Sequence, residues 1–159
     1  MSFQLSLSTD LVTAAYPYDP LLVAPDATVG DVLQLLRAQK TSSVLICDGD
    51  GSDGSKLLGI FTERDALKWM AASKPLDRPI SEAMSSEPVS IDADATVSET
   101  IRRMSKGGYR RLPIMAPDGT PSGMVGVRGL LHYLVDHFPE TIYNLPPKPG
   151  SFTGEREGA

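Results

Sequence analysis

"PLLVAPDATVGDVLQLL", residues 20–36, returns as "PVSIDADATVSETIRRM", residues 88–104. The offset of 68 residues sets Asp26, Ala27, Thr28 and Val29 on Asp94, Ala95, Thr96 and Val97, and without a gap it sets "SSVLIC" from Ser42 on "RRLPIM" from Arg110. A third block, "LLGIFTERDALKWM" from Leu57, matches "PSGMVGVRGLLHYL" from Pro121 once the offset falls to 64, because the first copy carries four more residues between its strands. Three blocks repeated in one order mark a chain made of two copies of a single supersecondary unit.

Each copy reads as β-α-β-β-α, which puts the chain in the α/β (α+β) class. In the first helix Val29, Val32, Leu33 and Leu36 follow i, i+3, i+4, i+7, and Val97, Ile101 and Met104 keep the same face in the second copy. Each run opens after a Thr suited to the N-cap. "SVLIC" and "LLGIF" are almost wholly apolar, as in strands covered on both faces, and the helices of the same unit are the cover closest to hand. The second helices are predicted to begin near Asp65 and Gly129. Between the copies, "ASKPLDRPISEAMSSEP" has the prolines and small polar residues of a connection that crosses from one half to the other. "NLPPKPGSFTGEREGA" has no core-forming pattern, so the chain beyond Pro146 is predicted to be extended or disordered. The organisation is an N-terminal arm over 1–19, a first repeat over 20–73, a connection over 74–87, a second repeat over 88–140 and a tail over 141–159.

Composition narrows the functions open to such a chain. With 159 residues there is room for one ordinary domain or two half-domains around a shared core. The apolar runs are far shorter than the roughly 20 residues a membrane span needs, so no transmembrane segment is predicted. The opening "MSFQLSLSTDLVTAAY" lacks a basic leader and is interrupted by Asp10, which makes the cytoplasm the expected location. A formal charge of −5 argues against general nucleic-acid binding, which draws its affinity from cationic surfaces. The single cysteine, Cys47, lies inside the apolar run "VLIC" and reads as a buried hydrophobe rather than a nucleophile.

The repeated blocks resemble the tandem cystathionine-β-synthase (CBS) domain pair, or Bateman module. "APDATV" and its echo open the units, "RRLPIM" stands on the central strand, "GIFTERDAL" matches G-h-x-[ST]-x-x-D, and "ISEAMSSEPVSI" is similar to the inter-repeat signature. The resemblance covers about Pro20 to Pro139. It implies two β-α-β-β-α repeats packed sheet against sheet with pseudo-two-fold symmetry, clefts for adenosine-containing ligands such as AMP, ADP, ATP or, less favoured, S-adenosylmethionine, and a regulatory role without catalysis. No cofactor is required. A disc-like homodimer and an unidentified regulated protein are the partners it implies.

Carried over residue by residue, the ribose-binding carboxylate falls on Asp65 and the phosphate-side hydroxyl on Thr62, with Arg64 between them. An ionised carboxylate only accepts hydrogen bonds, so it suits two ribose hydroxyls. A helix N-terminus beside it offers N–H groups and the positive end of a dipole to phosphate. The adenine-flanking positions fall on Leu22, Val23, Thr28, Val44 and Leu45, and Arg110 and Arg111 are implied as a phosphate clamp reaching from the second repeat. Thr62 and Asp65 also spell a helix capping box, and the two arginines could equally be solvated surface residues. The second copy has Gly126 and Gly129 in place of Thr62 and Asp65, so its site is predicted to be weak or empty, and Gly129→Asp is the substitution expected to restore it.

The remaining features carry less. "DGDGSDG", from Asp48, fails the calcium-loop pattern, because Asp53 stands where that loop needs Gly and Gly59 where it needs a bidentate Glu. His132 and His137 lie five residues apart without Cys or acid at zinc-ligand spacing. Trp69 and Met70 read as fillers of core or interface. A ligand-free scaffold, in which "TERD" only caps a helix and the paired core offers a docking surface, is the competing reading.

Overall fold

The computed structural model describes residues 7–49 and 54–137, so the tail and the middle of the "DGDGSDG" loop lie outside the described residues. The first repeat holds β1 (Leu21–Val23), α1 (Val29–Gln39), β2 (Ser43–Cys47), β3 (Leu57–Thr62) and α2 (Glu63–Ala71). A short β4 (Ser85–Ser86) follows. The second repeat holds β5 (Ile91–Asp92), α3 (Val97–Gly107), β6 (Arg111–Met115), β7 (Pro121–Gly126) and α4 (Val127–His137). Both second helices begin two residues earlier than Asp65 and Gly129, because the strand before each runs straight into the first turn.

The two copies agree in detail. β1 runs parallel to β2 and β2 antiparallel to β3, as β5 does to β6 and β6 to β7. The register breaks between Ile46 and Cys47 and again between Ile114 and Met115, at the same place in each repeat. Thr28 Oγ1 accepts from the Asp31 N–H at 3.1 Å and Thr96 Oγ1 from the Glu99 N–H at 3.1 Å, so both first helices start from the hydroxyl cap their sequences announce. At their C-termini both helices turn through the left-handed region, but Gly108 does so in one copy (φ 69°) and Lys40 in the other (φ 52°).

All five residues of β2 are buried, and their alternation divides them between two covers. Val44 and Ile46 pack with Val29, Val32, Leu36, Phe61 and Trp69 in the core of the first repeat. Leu45 and Cys47 face the other way and meet Met124 of the second sheet, joined by Leu22, Leu57 and Ile60. One face of the sheet is therefore covered by helices and the other by the second repeat's sheet, not by helices on both faces.

The segments ahead of the repeats cross over. The 3-10 turn Val12–Ala14 buries Val12 and Ala15 in the core of the second repeat, with Val97, Leu112, Ile114, Leu130 and Tyr133. The turn Ile80–Glu82 buries Ile80 in the core of the first. The bonds match at an offset of 68: Val12 N–H donates to Ala95 O at 2.8 Å, and Ile80 N–H donates to Ala27 O at 2.7 Å. The N-terminal arm thus supplies buried side chains to the distant second repeat, and the connection supplies one to the first repeat it follows. Of the two residues expected to fill core or interface, Trp69 is buried, with its indole N–H on the Pro75 carbonyl at 3.0 Å, while Met70 is exposed.

Candidate functional site between the repeats

The β3–α2 junction fixes the first functional group. Thr62 ends the strand in extended conformation and serves as N-cap, which leaves Asp65 in the first turn, turned back over the cap. Asp65 Oδ2 accepts from the Thr62 N–H at 2.9 Å and from the Thr62 hydroxyl at 3.1 Å. Its other oxygen accepts from the Ser85 hydroxyl at 2.9 Å, so β4 is tied to the start of α2. The half-buried carboxylate caps its own helix and, with its second oxygen, holds a hydroxyl that comes from another element.

This junction opens on a cavity of about 480 Å³ lined by both repeats. Thr62, Arg64 and Asp65 stand on the first-repeat side, Arg110 and Arg111 on the second-repeat side, so five of the ten positions singled out in the sequence meet in one cleft. The other five do not join them. Leu22 and Leu45 pack between the sheets, Val23 and Val44 belong to the first core, and Thr28 is occupied in capping α1. The apolar lining comes instead from Ile60 on β3 and, for the most part, from Pro88, Val89, Tyr109 and Pro113 of the second repeat. At the offset of 68, Val89 is the counterpart of Leu21 and Pro113 of Leu45. Because the sheets face one another, the helix start of one copy looks onto the strands of the other.

Arg111 spans the repeats. One guanidinium nitrogen donates to the Ser42 hydroxyl at 2.5 Å and to the Ser43 hydroxyl at 3.1 Å. Ser42 and Ser43 are themselves the counterparts of Arg110 and Arg111, so the arginine reaches across the pseudo-two-fold axis to its own place in the other copy. Beyond it lies a second cavity of about 550 Å³, lined by Tyr18, Lys40, Gly126 and Arg128 among others. Here the missing carboxylate has a steric cause. A Cβ on Gly129 would lie 2.4 Å from the Ala15 carbonyl oxygen, in the cross-docked N-terminal segment. The expectation that Gly129→Asp restores a ribose site is therefore corrected: no side chain fits there.

Burial, then the neighbouring Asp48, pushes the Cys47 thiol up, which keeps it protonated and unreactive. His132 lies 3.9 Å from Asp136 and His137 lies 3.9 Å from Asp10, yet no group of three metal-binding side chains occurs among the described residues. No helix among those residues is long and apolar enough to cross a membrane.

Residues 10–72 and 80–136 each match the family model described as CBS domain. YlbB of Bacillus subtilis strain 168, an uncharacterised protein, is 32% identical over 106 residues, which are 66% of this chain and 67% of YlbB. CBSX2, solved in complex with AMP, shares the fold with a TM-score of 0.69 at 20% identity, over 80% of this chain and 98% of that one. The CBS domain pair of MJ0100, solved with 5′-methylthioadenosine and S-adenosyl-L-methionine, has a TM-score of 0.70 at 19% identity, over 81% and 98% of the two chains.

Proposed function

The chain belongs to the CBS domain family and carries the domain twice, and from that premise we propose that it is a regulatory, non-catalytic module of the cytoplasm that binds an adenosine-containing nucleotide in the cleft at Asp65. AMP, ADP and ATP are favoured over S-adenosylmethionine. The observation that carries this reading is the Asp65 carboxylate, which already accepts a hydrogen bond from the Ser85 hydroxyl at 2.9 Å beside the N-terminus of α2. A ribose hydroxyl is the same kind of donor. Pro88, Val89 and Pro113 offer an apolar bed for a base, and Arg110 and Arg111 bring positive charge for phosphate. The AMP and S-adenosylmethionine held by CBSX2 and MJ0100 support the ligand class.

The test is calorimetry and thermal shift with AMP, ADP, ATP, S-adenosylmethionine, NAD and GTP, since a ligand selective for the folded chain raises its apparent stability by RT ln(1+[L]/Kd). Asp65→Ala should weaken the binding nucleotide by about 1.5 to 3 kcal/mol, roughly tenfold to a hundredfold. Unchanged affinity in that variant would sink the ribose assignment.

A ligand-free scaffold draws support from one observation: Leu67 and Leu131, counterparts at an offset of 64, are 69% and 57% exposed on α2 and α4. The same pair supports a homodimer formed through these helices in either reading. No response to any nucleotide at millimolar concentration would favour the scaffold.

A further inference from the structure

The two cavities share four lining residues, Ser42, Glu63, Arg110 and Arg111, so they are two mouths of one groove that crosses the pseudo-two-fold axis. Their charges differ. The cleft at Asp65 has four cationic residues against the carboxylates of Glu63, Asp65 and Glu87. The second has four, Lys40, Arg110, Arg111 and Arg128, against Glu63 alone. It also lacks a ribose-binding group, and the Ala15 carbonyl bars one from position 129.

Lys40 adds an independent sign. It sits in the left-handed region at φ 52°, where its counterpart Gly108 does so without strain. A lysine held in a costly backbone conformation, on the rim of a cationic cavity, is the kind of local strain that marks a functional position.

We propose that the groove selects nucleoside triphosphates over monophosphates: a nucleoside seated at Asp65 sends its phosphate chain past Arg110 and Arg111 into the second cavity, where Lys40 and Arg128 hold the terminal phosphate. This rests on the nucleotide reading given above. Each added phosphate moves from a nearly balanced field into one with an excess of positive charge, and charge-assisted bonds are the strongest polar contacts available. Arg128 and Lys40 are thus specificity-determining residues that leave the nucleoside end untouched.

The experiment is titration calorimetry of the full chain with AMP and ATP in magnesium-free buffer, repeated on Lys40→Gly and Arg128→Ala. ATP should bind about tenfold more tightly than AMP, and each variant should weaken ATP by about tenfold while leaving AMP within about twofold. Lys40→Gly relieves backbone strain, so its folding is secure and its thermal midpoint should rise. Equal affinity for AMP and ATP, or equal loss of both in the variants, overturns the selection of triphosphates and leaves nucleotide binding standing. Failure of both nucleotides to bind the unaltered chain overturns the nucleotide reading and this inference together.

Discussion

Asp65 does two jobs that one local motif cannot separate. It closes the capping box with Thr62 and holds the Ser85 hydroxyl. The second copy acts as a control, because α4 starts from Gly126 with Gly129 in place of the acid, and so the fold does not require Thr and Asp there. The same control misleads if read as a site awaiting repair. Gly129→Asp should lower stability by about 1 to 3 kcal/mol, since its Cβ would sit 2.4 Å from the Ala15 carbonyl oxygen and only backbone movement could relieve it. Urea unfolding monitored by circular dichroism measures this directly, and an undiminished midpoint would contradict the close approach. Sequence disclosed the glycine but not its reason. The reason lies 114 residues upstream, in a segment whose docking no local pattern announces.

At the scale of the element, the helices and strands of the two repeats were legible because their periodicities are local and each was written twice, whereas β4, with the Ser85 that meets Asp65, lay hidden in a stretch read as connection. The two 3-10 turns were not legible either, because three residues are too few to show a period, yet they bury Val12 and Ile80 completely. The end of α1 carries its own prediction. Lys40 pays for the left-handed turn that Gly108 makes freely, so Lys40→Gly should stabilise the chain by about 1 kcal/mol and raise its thermal midpoint by about 3 °C. A fall in calorimetric midpoint would show that the lysine side chain contributes more than its backbone costs. The docked N-terminal segment makes a third prediction. Burial, together with the Asp10 carboxylate that accepts its hydrogen bond, pushes the Tyr133 phenol up to about 12. The neutral phenol is favoured in the folded state, so its contribution is complete below the ordinary value near 10 and is lost as pH rises from there to about 12. Over that window Tyr133→Phe should lose less stability than the unaltered chain in parallel denaturant titrations; parallel losses would discount the Asp10 contact.

At the scale of the whole molecule, the duplicated sequence foretold two similar units but not which surfaces they would turn toward each other. A repeat gives each strand position two addresses, and only the sheet-on-sheet packing assigns them. Leu45 and Pro113 are the same position in different copies, yet Leu45 is sealed between the sheets and Pro113 lines the cleft opposite Asp65. The apolar side of the site was therefore placed one copy away, while Thr62, Arg64, Asp65, Arg110 and Arg111 fell together. The same duplication makes the outer surface predictable. Leu67 and Leu131 occupy one repeat position on α2 and α4, and exposed leucines repeated in this way are the side chains through which the homodimer proposed above would pack. Each leucine withdrawn from water on association contributes about 1.5 to 3 kcal/mol, and a symmetric dimer buries four. Leu67→Glu with Leu131→Glu should therefore convert a dimer to monomers in sedimentation velocity. Its intrinsic thermal stability should hardly change, because neither side chain belongs to a core. Dimers that persist in the double variant would place the interface elsewhere, and a collapse of the thermal midpoint at low protein concentration would show that the helices cannot stand without their partner.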